Sequence, residues 1–302
     1  MLNLFYSRQR TVATVGLQGH GKTVFLAGLF CDSFFLLSET LRPFAVRAVS
    51  ARADEVFYGN AQMLHDLELP PANPRGKPEP AVLEFTGVPR PGSQRRRDIR
   101  LTFYDIAGEV FSQDRTVAEY APYLADADDI IFLFDPTHPD FSALSAARLV
   151  DLVCRATAGS RRKNLIIALS KMDELRARDE WADMIGDLWP DAAPGHNELA
   201  AYFNQMDRLS AMLRLWWSDP AREAQNLMNA LPEDVHFCAL SSVGHQPVWD
   251  CAQCRTVNSG RQRECSQCQH TRTGARLRLA GKPEPFRVRD PLFRIFRAAG
   301  VM

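Results

Sequence analysis

Gly16-Leu-Gln-Gly-His-Gly-Lys-Thr23 follows a short β-branched run, Arg10-Thr-Val-Ala-Thr-Val-Gly16, and precedes Thr23–Leu37, which has the apolar spacing of a buried helix. It matches Gly-x4-Gly-Lys-Ser/Thr in full, with a strand before it and a helix after, the context that pattern requires. Each residue type has a physical task. Gly16, Gly19 and Gly21 let the backbone wrap tightly, so that N–H groups of the loop, through Gln18 and His20, face phosphate oxygens with the positive end of the helix behind them. Lys22 would reach the β- and γ-phosphates as a compact charge, and the Thr23 hydroxyl would take a magnesium position. The segment predicts binding of a nucleoside triphosphate with Mg2+.

Outward from this loop the elements alternate. Phe44–Ser50 reads as a strand and Ala51–Leu67 as a helix. A proline-laden loop, Leu69–Pro80, precedes strands at Ala81–Thr86 and Ile99–Asp105, with Arg95-Arg96-Arg97 expected in the turn between them. A helix at Val117–Leu124, a strand at Asp129–Asp135, a helix at Phe141–Ala158 and a strand at Asn164–Ser170 follow. The stretch 175–231 reads as a helical insertion, with Trp216-Trp217 as core or an inter-helix contact, and Val235–Leu240 as a last strand. Helices alternating with mostly continuous apolar strands predict an α/β fold: a three-layer, doubly wound P-loop NTPase domain around a mostly parallel sheet.

Three further segments favour guanine. Asp105 ends a strand in Asp105-Ile-Ala-Gly108, which suits Asp105 to hold Mg2+ through water and the Gly108 N–H to meet the γ-phosphate. Ser170-Lys171-Met-Asp173 ends another strand. The Asp173 carboxylate can accept both N–H donors of the guanine edge, which adenine lacks, while the Lys171 stem covers the face of the base. Ser241-Ser242-Val243-Gly244 follows the last strand, where a backbone N–H can meet the guanine carbonyl. In this order the motifs resemble the Ras-like small-GTPase superfamily, specifically divergent bacterial-type members with long insertions. The resemblance spans most of residues 10–244 and implies a GTP/GDP switch or slow GTPase that signals to a protein partner. It makes Asp173 the guanine specifier and Thr23 and Asp105 the magnesium ligands.

The departures bear on turnover. Ser170 stands in place of the Asn that braces the base loop. Glu109 stands where the resemblance puts the Gln that orients the attacking water, and an ionised carboxylate there repels the γ-phosphate. Gln113 is a second candidate for that task, beside Lys22 and Glu109 in the catalytic set. A Thr from the first switch is not identifiable, Thr40 and Thr86 being poor substitutes. A pseudo-GTPase scaffold in a multiprotein assembly, and an ATP-binding P-loop protein, are the competing readings.

Trp249-Asp-Cys251-Ala-Gln-Cys254 and Cys265-Ser-Gln-Cys268 are a separate signal. Two Cys-x-x-Cys knuckles close a tetrahedral four-sulfur site, which zinc prefers, and so short a segment draws its folding energy from the metal. With Asn258 the spacing resembles the Ran-binding-protein type of zinc finger. Ser259 occupies the place of the aromatic that stacks RNA bases in that family, and Arg255-Thr256 that of its ubiquitin-binding Thr-Phe. A structural or protein-docking finger is the simpler expectation, with RNA contact through Arg255, Arg261, Arg263 and Arg272 as the alternative. Asp290 followed by Pro291 reads as the cap of a final helix with Leu292, Phe293, Ile295 and Phe296 as its apolar face. The expected layout is a Ras-like domain of residues 9–246 plus 275–302, with the finger, residues 247–274, inserted before the last helix.

Lys and Arg total 36, as do Asp and Glu, so no global field recruits nucleic acid or acidic lipid. Cys31, Cys154 and Cys238 read as core residues. The absence of a secretory leader or a long apolar run, with metal-type cysteine spacing, leads to the expectation of a cytoplasmic chain without a membrane span.

Overall fold

The computed structural model describes residues 8–29, 45–71, 78–90, 93–108, 110, 114–139, 141–159, 161–175, 198–218, 235–274 and 276–302. The β-branched run before the glycine loop forms β1 (Arg8–Val15), the hub of a seven-stranded sheet. It pairs in parallel with β4 (Ser93–Asp105) on one side and β5 (Asp129–Phe134) on the other. β5 continues in parallel to β6 (Asn164–Leu169), and β6 to β7 (His236–Ala239). Beyond β4 the sheet turns antiparallel through β3 (Ala81–Arg90) to β2 (Ala45–Ala48), giving the order β2-β3-β4-β1-β5-β6-β7. β5 is buried at every position, as a strand covered on both faces must be. The mixed α/β architecture agrees with the sequence reading.

Helices cover both faces. On one, α1 (residues 22–29), α2 (residues 51–65, π-helical over Asp54–Gly59) and, at the end of the chain, α6 (Asp290–Ala298) cover the sheet. There Phe25, Phe57 and Phe296 share a cluster with Leu101, Ile131 and Ile166. On the other, α3 (Asp114–Asp126) and α4 (Ala143–Ala156) place Leu124 and Val153 against Ala13, Phe132 and Ile167. α5 (Leu199–Ser218) serves both faces: Tyr202 and Met206 belong to the first cluster, Leu213 and Trp217 to the second. It therefore crosses the β7 edge, where the Ser210 hydroxyl accepts the N–H of Phe237 at 2.9 Å. An edge donor that would otherwise invite another strand is satisfied within the chain. Of the expected helical stretch 175–231, residues 176–197 and 219–231 lie outside the described residues.

Two local expectations are corrected. The arginine run is not a turn: Arg95–Arg97 lie inside β4, whose partner β3 runs on to Arg90. Among the described residues β2 pairs with β3 only as far as Thr86, so Pro89, paired with Arg96 of β4, has no described partner on its other side that would need its missing N–H. Arg97 is useful in place, donating to the Gly300 carbonyl at 2.8 Å. Nor does Asp290 cap α6. It is the first helical residue, and its buried carboxylate accepts from Tyr202 Oη at 2.6 Å and Arg287 Nε at 2.9 Å. That partnership pins α6 to α5.

A second, three-stranded sheet is made by β8 (Pro247–Asp250), β9 (Val257–Ser259) and β10 (Arg278–Leu279). β10 also touches the first domain: Leu279 N–H donates to Leu67 O at 2.8 Å, just after α2. The chain leaves the large sheet at Ser241 and returns beside it, Ser241 and Phe286 exchanging backbone hydrogen bonds of 2.9 and 2.8 Å. The intervening arm is thus clamped at its base. No helix among the described residues is long and apolar enough to cross a membrane.

Candidate functional site

The glycine loop lies at the carboxyl end of β1. Gly19 and Gly21 take φ of 80° and 85°, left-handed values that a side chain would strain. α1 starts directly after them, with Phe25 N–H bonded to Gly21 O at 2.7 Å. Lys22 is buried, and its ammonium donates to the carbonyls of Gly16 at 2.8 Å and Leu17 at 3.1 Å. Thr23 Oγ1 is 3.5 Å from Asp105 Oδ2, because β4 pairs with β1 in a register that sets Asp105 opposite Thr14. Burial pushes the Asp105 carboxyl up to about 6, with the charges of Lys22 and Arg52 and the Thr23 hydroxyl opposing it. A buried carboxylate beside a hydroxyl at a strand end suits a hard divalent cation. Gly108 comes so close that a Cβ there would lie 2.4 Å from Gln18 N and 2.6 Å from Leu17 C. Its neighbour Glu109 and the further candidate Gln113 lie outside the described residues, as does Thr40. Thr86 is an exposed residue of β3 paired with Ala45.

The next two strand ends supply the other half of the site. Ser170 is buried after β6, its N–H donated to Phe134 O at 2.7 Å and its hydroxyl 3.1 Å from Phe134 O and 3.4 Å from His20 O. The Ser170 hydroxyl, in place of the bracing Asn amide, bridges the end of β5 and the glycine loop. Lys171 has a φ of 58°, and its ammonium sits 2.6 Å from Asp135 Oδ2. Burial works against the Asp135 charge, but Lys171 and the Thr137 N–H and hydroxyl outweigh it and hold the carboxyl below its usual value. The same residue anchors His20, whose Nδ1 accepts the Asp135 N–H at 3.0 Å. Burial and the neighbouring His138 drive the His20 imidazole down to about 4, so it is neutral with its proton on Nε2.

Asp173 Oδ1 accepts a hydrogen bond from the Ser241 hydroxyl, which in turn accepts the Gly244 N–H at 2.9 Å. Ser241 N–H is committed to Phe286, so a base-directed amide of this loop has to come from Ser242 or beyond. α1 lies hard against that loop, Gly28 being the position where a Cβ would meet Ser242 O at 2.7 Å. One cleft of about 220 Å³ is bordered by Gly19–Gly21, by Ser170, Lys171 and Asp173, and by Ser241–Val243. The three segments singled out in the sequence, far apart along the chain, thus meet in a single space.

Sequence reasoning missed several neighbours of that space. Glu174 and, from the arm, His245, Pro247 and Leu277 also border it. Arg261 of the arm is ion-paired with Glu174. No motif in the sequence singles out Glu174, and nothing in one sequence links it to a residue 87 positions away.

The four cysteines of the arm lie with all Sγ atoms within 4.8 Å of one another, Cys254 and Cys265 at 3.4 Å, Cys251 and Cys268 at 3.5 Å. Sulfurs about 2.3 Å from one zinc ion in a tetrahedron would stand about 3.8 Å apart, so the set fits a four-cysteine metal centre. Both knuckles have the same backbone form: Arg255 N–H bonds Cys251 O and Gln269 N–H bonds Cys265 O, with φ near 60° at Arg255 and Gln269. Asn258 joins them, its Oδ1 accepting Ser266 N–H at 2.9 Å and its Nδ2 donating to Thr256 O at 2.8 Å. Trp249 fills the space behind the sulfurs, its indole N–H on Ser259 O at 3.0 Å. Of the arginines considered for RNA, Arg261 is engaged by Glu174 and Arg272 donates to Gly260 O at 2.6 Å.

No curated protein matches the chain. A family model described as Double-GTPase 2 matches residues 10–207, from β1 through the glycine loop, Asp105 and Asp173 into α5. This is well over half of the 302 residues and includes the P-loop and two of the three strand-end motifs. The chain belongs to the Double-GTPase 2 family, a P-loop GTPase-like family.

Proposed function

We propose that the chain is a guanine-nucleotide switch or slow GTPase whose output is a contact with another protein. The observation that carries this reading is the convergence of Gly19–Gly21, of Ser170, Lys171 and Asp173, and of Ser241–Val243 on one cleft. The loop amides and the start of α1 would receive the polyphosphate. Lys22, held by the carbonyls of Gly16 and Leu17, would exchange them for β- and γ-phosphate oxygens. Thr23 and Asp105 would hold Mg2+, which neutralises charge on the phosphates. Asp173, oriented by the Ser241 hydroxyl, would accept the two N–H donors of guanine. Lys171, drawn to Asp135, keeps its stem along the cleft.

Base choice is the discriminating experiment. Labelled GTP should be displaced by GTP and GDP and resisted by ATP, and Asp173→Asn should move preference from GTP to XTP by about tenfold or more, as expected where a paired hydrogen bond is lost and regained. Equal displacement by ATP overturns the guanine assignment in favour of an ATP-binding P-loop protein.

Glu109 supports a second reading, a nucleotide-stabilised scaffold with little hydrolysis, since a carboxylate replaces the residue type that orients water. Single-turnover release of phosphate from bound GTP separates the two. Glu109→Gln should raise the rate if the carboxylate is the brake.

A further inference from the structure

The arm that carries the four cysteines does more than hang beside the cleft. Its first residues are the base loop itself, and Glu284 N–H returns to Val243 O at 3.0 Å, so the two stalks close together under the cleft. From beyond the stalks, Pro247 and Leu277 border the same space as Gly19 and Lys171. Gly260 N–H bonds Pro247 O at 2.7 Å, which fixes the turn bearing Arg261 on the stalk. Arg261 then reaches out of the arm to Glu174, whose side chain is only 5% exposed. Glu174 is next in sequence to Asp173, and both face the cleft. Burial pushes the Glu174 carboxyl up, and Arg261 and Lys171 oppose that.

We infer that the cysteine-bearing arm is a wall of the base pocket and that Arg261 is a positioning residue for base selection, acting through Glu174 on Asp173. The inference rests on the nucleotide reading above. Its physical basis is charge balance. Asp173 and Glu174 border the base end of the cleft and Asp135 lies buried behind Lys171, so three carboxyl groups stand against Lys171, already committed to Asp135, and Arg261. Without Arg261, a buried Glu174 charge keeps only the Lys171 ammonium, shared with Asp135, beside the carboxylate that has to accept from the base. Glu174 then takes up a proton or displaces its neighbour, and either change loosens the loop that Asp173 stands on. Base selection thereby depends on a folded arm, and the metal centre that folds the arm becomes part of the nucleotide site.

The test measures equilibrium affinity for fluorescent GTP and ATP analogues in the wild-type chain, Arg261→Ala, Glu174→Gln and the double variant, each checked for bound metal. Arg261→Ala should lower GTP affinity about tenfold, the scale for truncating one partner of a partly desolvated ion pair, and should change ATP affinity much less. In the Glu174→Gln background the same substitution should have little further effect, because no charge remains to be balanced. A merely structural role for Arg261 would give the same loss in both backgrounds. Metal-replete Arg261→Ala with wild-type GTP preference overturns the inference and leaves the guanine reading standing. A wild-type chain that does not prefer GTP sinks both. If Arg261→Ala loses its metal, Arg261→Lys is read instead: it keeps charge without the fork, a loss of about threefold is expected, and no loss is a refutation.

Discussion

His20 Nδ1 accepts the backbone N–H of Asp135 at 3.0 Å, joining the glycine loop to the end of β5 through a buried imidazole. Protonation would destroy that acceptor, and burial together with His138 lowers the His20 pKa from 6.5 to about 4. With the folded value depressed below the unfolded one, the folded chain binds fewer protons between the two. Stability is full above about pH 6.5 and is lost as the pH falls towards about 4. A shift of this size corresponds to roughly 3 kcal/mol. His20→Gln, which can still accept but cannot titrate, should flatten that part of the profile. Urea midpoints at pH 7 and pH 4.5 check it: a parallel loss in both proteins would show that the acid sensitivity lies elsewhere.

Gly108→Ala tests the approach of the Asp105–Gly108 turn to the glycine loop. A Cβ 2.4 Å from Gln18 N meets only backbone of Leu17 and Gln18, so no side chain can swing away to admit it. The turn and the loop must separate, at a cost of about 1–3 kcal/mol for overpacking. Affinity for the triphosphate should fall more than affinity for the diphosphate if, as the nucleotide reading has it, the Gly108 N–H meets the γ-phosphate. Equal loss for both nucleotides would argue that the turn only supports the fold.

What the sequence made legible follows from how local each signal is. The glycine loop, Asp105 and Ser170-Lys-Met-Asp173 each sit where an apolar strand stops, and strand ends on one edge of a parallel sheet must come together. The cysteine knuckles are likewise self-contained. Arg95–Arg97 are not legible as strand residues because the prolines and glycines nearby favour a turn, whereas the continued pairing of β3 with β4 is fixed by the ladder itself. Asp290 looked like a cap because its partners, Tyr202 and Arg287, are set by tertiary contact. Arg261 and Glu174 meet only because the arm folds back, a fact that no local pattern carries.

Trp217 measures how firmly α5 is tied to the nucleotide end of the sheet. Its ring is fully buried among Phe134, Phe141 and Phe237, at centroid distances of 5.6, 6.1 and 5.9 Å. Trp217→Ala should cost about 3–5 kcal/mol in denaturant unfolding. Phe134 directly precedes Asp135, so nucleotide affinity should weaken as well, even though Trp217 does not border the cleft. Trp216→Ala, at a partly buried position, should cost distinctly less. Similar losses for the two would contradict the packing of this helix.

Removal of metal should divide the molecule. The arm has a small core, Trp249 with the cysteines and Leu277, far too little apolar area to hold a three-stranded sheet by itself. Bound zinc would supply that stability, worth on the order of 10 kcal/mol in small Cys-rich folds. The seven-stranded sheet has its own two-sided core and makes no demand on the metal. Treatment with a strong chelator should therefore release about one zinc ion per chain and expose the amides of Cys251, Arg255, Cys265 and Gln269 to fast hydrogen exchange. Amides of β1, β5 and β6 should stay protected. The β10 bond from Leu279 to Leu67 should loosen with the arm, because its anchor on β8 has gone. Unchanged protection at the knuckles after the metal has left would mean that hydrogen bonds and Trp249 hold the arm, and that the four thiols are not its folding nucleus.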